Sequence, residues 1–436
     1  MTQYRFRKVS SPTDIRTNHS ANYLEWGRGL THDQYTARER HLGSQPPCLD
    51  GHISYWSYEE LSENDNSWTM VSCCESLTRP ALYKTKGSPV RQTICHSVGA
   101  VFTPIPHRGK GHARRMLALL VEKFDQTDAP DSPFCDLYAN LARQPFAIED
   151  DEAIRKDRVL NSFSVLWSDV GTYYEKFGYK ASSNLEMVIT KLTPSDSDLA
   201  GSVDGTVLLT EADEVEFAAK DTAQFIKQLD YMTEADGTPR AAILPSTDLH
   251  IMTHARAHFV APLLRPDQVP DGVTHPEGPV PNDFRSVQHF GAALQTGSHM
   301  SILWAQDIGN NKLNILRSLV EPPEGAKLVS SKEALAADLV TLLQAAVAEA
   351  RRWHLSKVTL WIQDLPRDPV TGADLLTLED VVEAWNSQPN DSQYAKFPAA
   401  ISEREDSWPA ARPLGGRKSG GSPQQVLVFD GKYAWY

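Results

Sequence analysis

The segment HRGKGHARR, residues 107–115, limits the folds open to this chain more than any other stretch of its sequence. A strand-like run, VGAVFTP, leads into the segment, and apolar side chains recur at helical spacing after it. The recurring positions are Met116, Leu117, Leu120, Val121 and Phe124. The segment therefore predicts a turn between a strand and an amphipathic helix.

Two glycines, Gly109 and Gly111, lie in that turn among arginine, lysine and histidine side chains. The first N–H groups of a helix lack partners and carry partial positive charge, so they bind anions. Because glycine has no Cβ, a phosphate can approach the main chain closely. With the cations Arg108, Lys110 and Arg114 around it, the turn predicts a site for pyrophosphate.

The whole chain, by contrast, has a formal net charge of -13, with 56 acidic against 43 basic residues. A general nucleic-acid binder needs an extended basic face, so we expect no nucleic-acid partner. No run approaches the roughly 18 apolar residues of a bilayer span, and the start, MTQYRFRKVS, has no apolar signal-peptide core. We therefore expect a cytoplasmic protein without a membrane partner. Its five cysteines lack CxxC spacing, which indicates reduced thiols rather than a zinc or redox motif.

A length of 436 residues favours two domains. The polar, turn-rich stretch TPSDSDLAGSVDG, 193–205, is the best boundary, and it divides the chain into 1–195 and 206–436. Both parts show two strands, a helix and further strands, and the long helix of the second part begins at a capping box, Ser330 to Glu333. The pattern predicts an α/β fold with mixed sheets, in which the second domain is a degenerate copy of the first without the glycine turn.

Side-chain periodicity also predicts the individual elements. Strands are expected at 3–8, 68–78, 93–103, 161–168, 185–190, 299–306, 312–320 and 358–362, and over the last residues, QQVLVFDGKYAWY. Helices are expected up to Gly27, at 32–42, after the glycine turn, before Gly178, at 211–229 and 247–261, and from the capping box.

VFTPIPHRGKGHARRML, residues 101–117, resembles the acetyl-CoA-binding segment of the GCN5-related N-acetyltransferase (GNAT) superfamily, whose pattern is (Q/R)xxGx(G/A). Arg108, Gly111 and the pair His112-Ala113 match that pattern. LWSDVGTYYEKFGYK, 166–180, resembles the later superfamily segment, a strand and then a helix ending in (F/Y)YxxxG(F/Y). Two motifs in the right order, about fifty residues apart, are far more specific than either alone.

Three further segments resemble the fungal lysine N6-acetyltransferase family, which carries an extra C-terminal domain. They are ESLTRPALY (75–83), QAAVAEARRWHL (344–355) before VTLW, and the ending KYAWY. The sequence departs from the family at Ile105-Pro106, outside the phosphate-binding pattern. The resemblance implies transfer of an acetyl group from acetyl-CoA to the side-chain amine of free L-lysine, in fungal lysine degradation.

The resemblance implies that backbone N–H groups of Val101, Phe102 and Thr103 face the thioester. It implies that acetyl-CoA is held by the turn residues Arg108, Gly109, Lys110, Gly111, His112 and Ala113. It assigns Tyr174 as the general acid that protonates the departing thiolate, with Tyr173 as the reserve. Three candidates for the general base stay open: Glu75, His96 and the α-carboxylate of Tyr436, since a C-terminal carboxylate reaches the active site in the related mycobacterial enhanced-intracellular-survival acetyltransferases.

His250, His254 and His258 recur every four residues and share one helix face, but no acidic or cysteine ligand stands beside them. The inferred chemistry needs no metal, and we expect none. Two other functions stay open at this point. One is acetylation of a different small amine, such as a polyamine or a xenobiotic. The other is a non-catalytic regulatory protein that binds acetyl-CoA.

Overall fold

Two mixed β-sheets of nine and seven strands form the frame of the protein. The structure, a computed structural model, describes residues 2–62, 66–125, 162–194, 203–322, 331–413, 426–428 and 431–434. Helices lie against both sheets. The α/β class with mixed sheets, predicted from the sequence, is confirmed.

The strands of the first half are β1 (Tyr4–Val9), β2 (Ile53–Leu61), β3 (Trp68–Lys84), β4 (Arg91–Phe102), β5 (Phe163–Ser168), β6 (Lys180–Ala181) and β7 (Leu185–Ile189). Those of the second half are β8 (Thr206–Leu209), β9 (Arg240–Ile243), β10 (Gly291–Leu294), β11 (Met300–Asp307), β12 (Lys312–Val320), β13 (Lys357–Trp361), β14 (Ala399–Glu403), β15 (Trp408–Pro413) and β16 (Val426–Leu427). The α-helices are α1 (Pro12–Trp26), α2 (His32–Gly43), α3 (His112–Asp125), α4 (Glu214–Asp236), α5 (Thr247–Leu264), α6 (Lys332–Arg352) and α7 (Leu378–Asn386).

The first sheet has the order β1-β2-β3-β4-β5-β15-β6. Its neighbours are antiparallel except β4 and β5, which pair in parallel over Cys95–Val98 and Phe163–Leu166. Strand β9 pairs with β3 beyond the end of β2, and β16 pairs with β9. The first sheet therefore recruits three strands from the second half of the chain.

The second sheet has the order β14-β7-β13-β12-β11-β10-β8 and repeats the plan of the first. Its one parallel pair, β12 with β13 over Lys312–Asn314 and Lys357–Thr359, corresponds to the pair β4 with β5 of the first sheet. In both sheets a helix connects the two parallel strands, α3 in the first and α6 in the second. The predicted duplication of the fold is thus visible in the order and direction of the strands.

The two copies exchange one strand each. Strand β15 lies between β5 and β6 of the first sheet, and β7 occupies the equivalent place between β13 and β14 of the second. The sequence division into 1–195 and 206–436 is therefore not the division between the sheets. Local sequence patterns could not reveal the exchange, since the partners of β7 and β15 lie far away along the chain.

Helix α3 packs one face on the first sheet, whereas α6 is embedded in the second core. On α3 the buried side chains are His112, Met116, Leu117, Leu120, Val121 and Phe124. Helix α6 buries thirteen of its side chains, and the N–H of Ala334 donates to the Oγ of its N-cap Ser331 at 3.2 Å. The cap therefore lies at Ser331, while the predicted Ser330 lies outside the described residues.

Several sequence predictions of elements need correction. Strands β2, β6, β8, β9, β10, β14 and β15 and helix α7 were missed, and the predicted helix at 211–229 is the longer α4. The predicted terminal strand is reduced, within the described residues, to β16 and a 3₁₀ turn at Lys432–Ala434. Among the helices that the structure describes, none combines the length and apolar character that crossing a membrane requires.

Candidate active site

A cleft opens where β4 and β5 stop pairing. Their ladder ends at Val98 and Leu166, and the following Ala100 has a positive φ of 49°. The register of β4 against β3 also shifts here, between Cys73 and Glu75, which marks a bulge. The resulting cleft has a volume of about 640 Å³ and is lined by the end of β4, the glycine turn and the segment after β5.

The glycine turn, residues 104–111, forms the outer end of the cleft. Gly109 and Gly111 have φ of 78° and 79°, which a side chain would strain. A Cβ added to either glycine would meet no atom within 4 Å, so the space above the turn is open to a ligand. Helix α3 begins directly after it at His112, with its unpaired N–H groups at this end.

Arg108 has two functions in this turn. Its Nε donates to the carbonyl oxygen of Thr103 at 3.0 Å, which ties the turn back to the end of β4. Its guanidinium also lies 5.3 Å from the ring of Phe102. The side chain is therefore oriented before any ligand arrives, and it contributes positive charge beside the helix N-terminus.

Eight of the nine predicted cofactor residues line the cleft: Val101, Phe102, Thr103, Arg108, Gly109, Gly111, His112 and Ala113. Lys110, the ninth, is exposed and does not line it. Arg114, predicted as an additional cation, does line it.

The segment after β5 places two tyrosines in the cleft. It is a 3₁₀ helix, Gly171–Phe177, which ends at Gly178 with φ of 90° and a hydrogen bond from the Gly178 N–H to the Glu175 carbonyl at 2.8 Å. Tyr174 is buried and Tyr173 is half-buried, and both contribute to the cleft wall. Burial raises the pKa of Tyr174 well above its ordinary value, so its hydroxyl keeps its proton at neutral pH.

A second cavity, which we call the charged pocket, joins the cleft at the β4 bulge. It has a volume of about 200 Å³ and lies between elements of both halves of the chain. The residues common to both cavities are Trp26, Val98, Gly99, Ala100, Trp167 and Asp169. The carboxylates along the pocket are Glu39, Glu75, Asp169, Asp307 and Asp406, and the cationic side chains are Arg28, Arg38, Arg256, Lys312 and Lys432.

Glu75 lines the charged pocket but not the cleft. It stands opposite Gly99, which both cavities share, in the register of β3 with β4, and the residue is 8% exposed. The Nε2 of His19, on α1, is 3.3 Å from its Oε1. Burial lowers the pKa of His19, but the hydrogen bond and charge of Glu75 outweigh burial and raise that pKa above its ordinary value.

The second half of the chain contributes further residues to the charged pocket. Lys432, near the end of the chain, is buried, and burial together with the neighbouring charge of Lys312 lowers its pKa to about 7. Asp169 accepts a hydrogen bond from the Ser407 N–H at 3.1 Å, and burial raises the pKa of Asp169. Charges of both signs therefore surround one small cavity.

The structure does not bring His96 to either cavity. Its ring is fully buried, Nδ1 lies 2.9 Å from the Oγ1 of Thr78, and the ring stacks on Phe124 at 4.6 Å. Burial lowers its pKa to about 3, so the ring is neutral. Tyr436, the third candidate base, lies outside the described residues.

The histidines His250, His254 and His258 are buried on one face of α5, as predicted. Acidic partners are present, although the sequence motif had none. The Nδ1 of His254 is 3.3 Å from Glu214, and the Nε2 of His258 is 2.9 Å from Glu211. Burial lowers the pKa of both imidazoles.

Sequence reasoning missed most of the charged pocket, including His19, Arg38 and Lys432. One signal was available on α1, which buries three polar side chains, Asn18, His19 and Asn22, where an amphipathic helix would bury apolar ones. No comparable signal marked Lys432, because only the tertiary structure brings it to the pocket.

Two curated fungal proteins match part of the chain. A lysine acetyltransferase of Yarrowia lipolytica is 36% identical over 185 residues, which are 42% of this chain and 42% of that protein. An uncharacterized protein of Saccharomyces cerevisiae is 28% identical over 196 residues, which are 40% of this chain and 44% of that protein. The matches thus span less than half the length of both curated relatives.

Solved structures give an overall likeness at low identity. A GCN5-related N-acetyltransferase from Anabaena variabilis has a TM-score of 0.43 and 11% identity, and covers 94% of this chain and 73% of its own. A tandem GNAT protein of the clavulanic acid biosynthesis pathway has a TM-score of 0.41 and 10% identity, and covers 96% of this chain and all of its own. The family described as the LYC1 GNAT-like C-terminal domain matches residues 190–436, more than half of the sequence, and the chain belongs to that family.

Proposed function

We propose that the protein is an N-acetyltransferase that transfers the acetyl group of acetyl-CoA to the side-chain amine of free L-lysine. One observation carries the proposal. A cleft with a phosphate-type glycine turn at its outer end joins, at the β4 bulge, a small pocket lined by charges of both signs. A thioester from one side and an amine from the other would meet at Gly99 to Val101. The Yarrowia lysine acetyltransferase, which matches 42% of the chain, supports this assignment.

Acetyl-CoA would bind along the cleft. The glycine turn and the N-terminus of α3 would hold the pyrophosphate, with Arg108 and Arg114 beside it. The pantetheine arm would lie between the separated ends of β4 and β5. The backbone N–H groups of Val101 to Thr103 lie beside it, beyond the point where the β4–β5 ladder ends. Those N–H groups would stabilise the oxyanion that forms when the amine attacks the thioester carbonyl.

Glu75 is the base that the geometry favours. It lines the charged pocket and stands opposite Gly99, which both cavities share, whereas His96 reaches neither cavity. As a carboxylate it would accept a proton from the substrate ammonium and leave the neutral amine that attacks. His19 would position Glu75 through their 3.3 Å contact. The C-terminal carboxylate of Tyr436 stays the alternative base.

Tyr174 is the proposed acid. When the new C–N bond has formed and the C–S bond breaks, the departing thiolate takes a proton, which the hydroxyl of Tyr174 would supply. The attached nitrogen then loses its extra proton as the amide forms, and the tyrosinate would take up that proton. Its raised pKa keeps that hydroxyl protonated until the thiolate forms. Tyr173 lines the same cleft and stays the reserve.

The charged pocket supports a free amino acid as the substrate. Lysine brings an α-carboxylate together with two amines, so it needs cations and carboxylates in one cavity. The pocket offers five of each kind. A polyamine carries only positive charge and has no use for cations such as Arg38, Arg256 or Lys432. At about 200 Å³, the pocket is also smaller than the roughly 300–1,000 Å³ typical of drug-sized ligands.

Release of the free thiol from acetyl-CoA tests the function, with mass spectrometry to locate the acetyl group on the product. The purified chain should acetylate L-lysine at its side-chain nitrogen and leave a histone-tail peptide untouched. Cadaverine, which is lysine without its carboxylate, should be a poor substrate, whereas turnover equal to that of lysine would indicate a polyamine-type enzyme. Tight acetyl-CoA binding with no turnover of any amine would indicate a non-catalytic regulator. A cytoplasmic location and a part in fungal lysine degradation belong to the same proposal.

A further inference from the structure

Two histidines, one on either side of Gly109 and Gly111 in the sequence, converge on one carboxylate. His107 ends the short 3₁₀ segment Ile105–His107 within the turn, and His112 is the first residue of α3. Glu60 lies on β2. One ligand atom from each of Glu60, His107 and His112 lies within 4.8 Å of the other two. Four residues, 108–111, separate the histidines, so the cluster spans the part of the turn that contains both glycines.

Three buried ring nitrogens of this cluster lack hydrogen-bond partners within the described part of the chain. His112 is only 2% exposed, yet neither of its ring nitrogens has a hydrogen-bond partner in the described part of the chain. The Nδ1 of His107 is likewise buried without one. A buried polar atom without a partner is destabilising, so such atoms in a native structure indicate a bound water, an ion or another ligand.

We propose that Glu60, His107 and His112 bind a divalent transition-metal ion of the zinc class. Two imidazoles and one carboxylate are a ligand set that zinc takes in proteins, with a fourth position left to water. Ligand atoms on one tetrahedral zinc ion are roughly 3.4 Å apart, given bonds of about 2.0–2.1 Å. The three side chains therefore need to close by no more than about 1.4 Å from their present separation.

The surroundings suit a metal centre that fixes the turn. The hydroxyl of Tyr4 donates to Oε1 of Glu60 at 3.0 Å, which orients the carboxylate as outer hydrogen bonds do in known metal sites. The rings of Tyr4 and Tyr58 pack at 5.6 and 6.0 Å from that of His112 and enclose its position. A bound ion would join β2 to both sides of the glycine-containing segment 108–111. Sequence patterns could not reveal the cluster, since Glu60 precedes His107 by 47 positions.

Zinc titration of the full chain tests the site without any assay of acetyl transfer. The protein is freed of metal with a chelator and titrated with zinc chloride in a calorimeter, and cobalt(II) is added separately to record its visible absorption. We expect one equivalent of zinc to bind and intense cobalt bands typical of a four-coordinate site. The Glu60→Gln and His112→Gln variants should each lower the zinc affinity at least about 100-fold.

The control is His32→Gln, because His32 is a surface histidine, with a side chain 44% exposed, outside this cluster. It should bind zinc as the unaltered chain does. Glu60→Gln keeps the size of the side chain and the contact with Tyr4, so its folding, checked by circular dichroism, separates loss of a ligand from loss of structure. Less than a fifth of an equivalent of zinc on the unaltered chain, or equal affinity in a folded Glu60→Gln variant, would overturn the proposal.

Discussion

The two copies of the fold share their strand order but differ in what occupies the space beyond their pair of parallel strands. In the first copy β4 and β5 separate after Val98 and Leu166 and leave an open cleft. In the second, the 3₁₀ turn after β13 receives the end of the chain, because the N–H of Lys432 donates to the buried carboxylate of Asp364 at 2.8 Å. The same architecture thus forms an open cleft in the first copy and a structural contact in the second.

The difference can be traced to short stretches of sequence. The strand and turn VLWSD of the first copy end in Asp169, which lines both cavities, while TLWIQD of the second ends in Asp364, which binds the chain's own backbone. The connection after β4 carries Gly109 and Gly111 at positive φ. Residues 321–331 after β12 read EPPEGAKLVSS, with a single glycine and two acidic residues. Catalytic chemistry is therefore expected in the first copy only.

The largest expected effect concerns the exchanged strands. A fragment ending at residue 195 should fail to fold cooperatively, because it lacks β9, β15 and β16 and leaves β7 without its neighbours. Thermal unfolding followed by circular dichroism measures this, with the full chain as reference. As a complement, a full chain cut at a protease site inserted into residues 195–202 should elute as one complex. A fragment that melts near the temperature of the full chain would show that the copies are independent.

Glu75→Gln should produce the largest effect on catalysis. Loss of the base should lower kcat by about 10³-fold while the affinity for acetyl-CoA is retained, since Glu75 faces the charged pocket. Steady-state kinetics and calorimetry measure the two quantities. Glu59→Gln is the matched control, because Glu59 is also a buried strand carboxylate but pairs with Arg5 and Arg7 outside the pocket. Unchanged kcat in folded Glu75→Gln would transfer the role of base to the C-terminal carboxylate.

Gly111→Glu should weaken acetyl-CoA binding by roughly 500-fold. The new carboxylate would stand at the proposed pyrophosphate site, where repulsion between neighbouring charges near a protein surface costs about 4 kcal/mol. Gly272→Glu is the control, because Gly272 has the same φ of 79° and an equally open position in a remote turn. Both variants carry the same backbone strain, so equal affinities measured by calorimetry would remove the turn from the binding site.

Tyr174→Phe should lower kcat by about 10²-fold and leave KM for acetyl-CoA nearly unchanged. The substitution removes only the hydroxyl that would protonate the thiolate, and the ring keeps its packing beside Phe177 and Tyr179. Tyr173→Phe, measured in parallel, should be close to the unaltered enzyme. The reverse order of the two kcat values would assign the acid to Tyr173.

The sequence predicted what depends on neighbouring residues and missed what depends on distant ones. The glycine turn, the helix after it and the Gly178 cap follow from local patterns, and the structure has all three. The exchange of β7 and β15, the contact of His19 with Glu75 and the arrival of Lys432 in the pocket join residues from 56 to several hundred positions apart. His96 illustrates the limit most clearly. Its residue type suggested a base, but the face of β4 on which it lies is the core face under α3.

The smallest expected effect concerns His96, whose buried position on β4 is held by a different residue in the second copy. His96 faces Ser164 three positions before Trp167, and Leu313 faces Val358 three positions before Trp361, so the two buried residues correspond. The pKa of His96 is about 3 in the folded chain, against roughly 6.5 when unfolded. Between these values the unfolded chain binds a proton that the folded chain does not, so the free energy of unfolding falls as the pH falls.

His96→Leu, which copies the second unit, should remove that contribution. Between pH 7 and pH 5 the unaltered chain should lose about 2 kcal/mol more of its free energy of unfolding than the variant does, as measured by urea unfolding. The loss of the Thr78 contact lowers the stability of the variant at every pH and therefore does not affect this difference. His32→Gln, at an exposed position, should keep the original pH dependence. Parallel curves for His96→Leu and the unaltered chain would mean that His96 titrates normally and that its side of β4 is open to water.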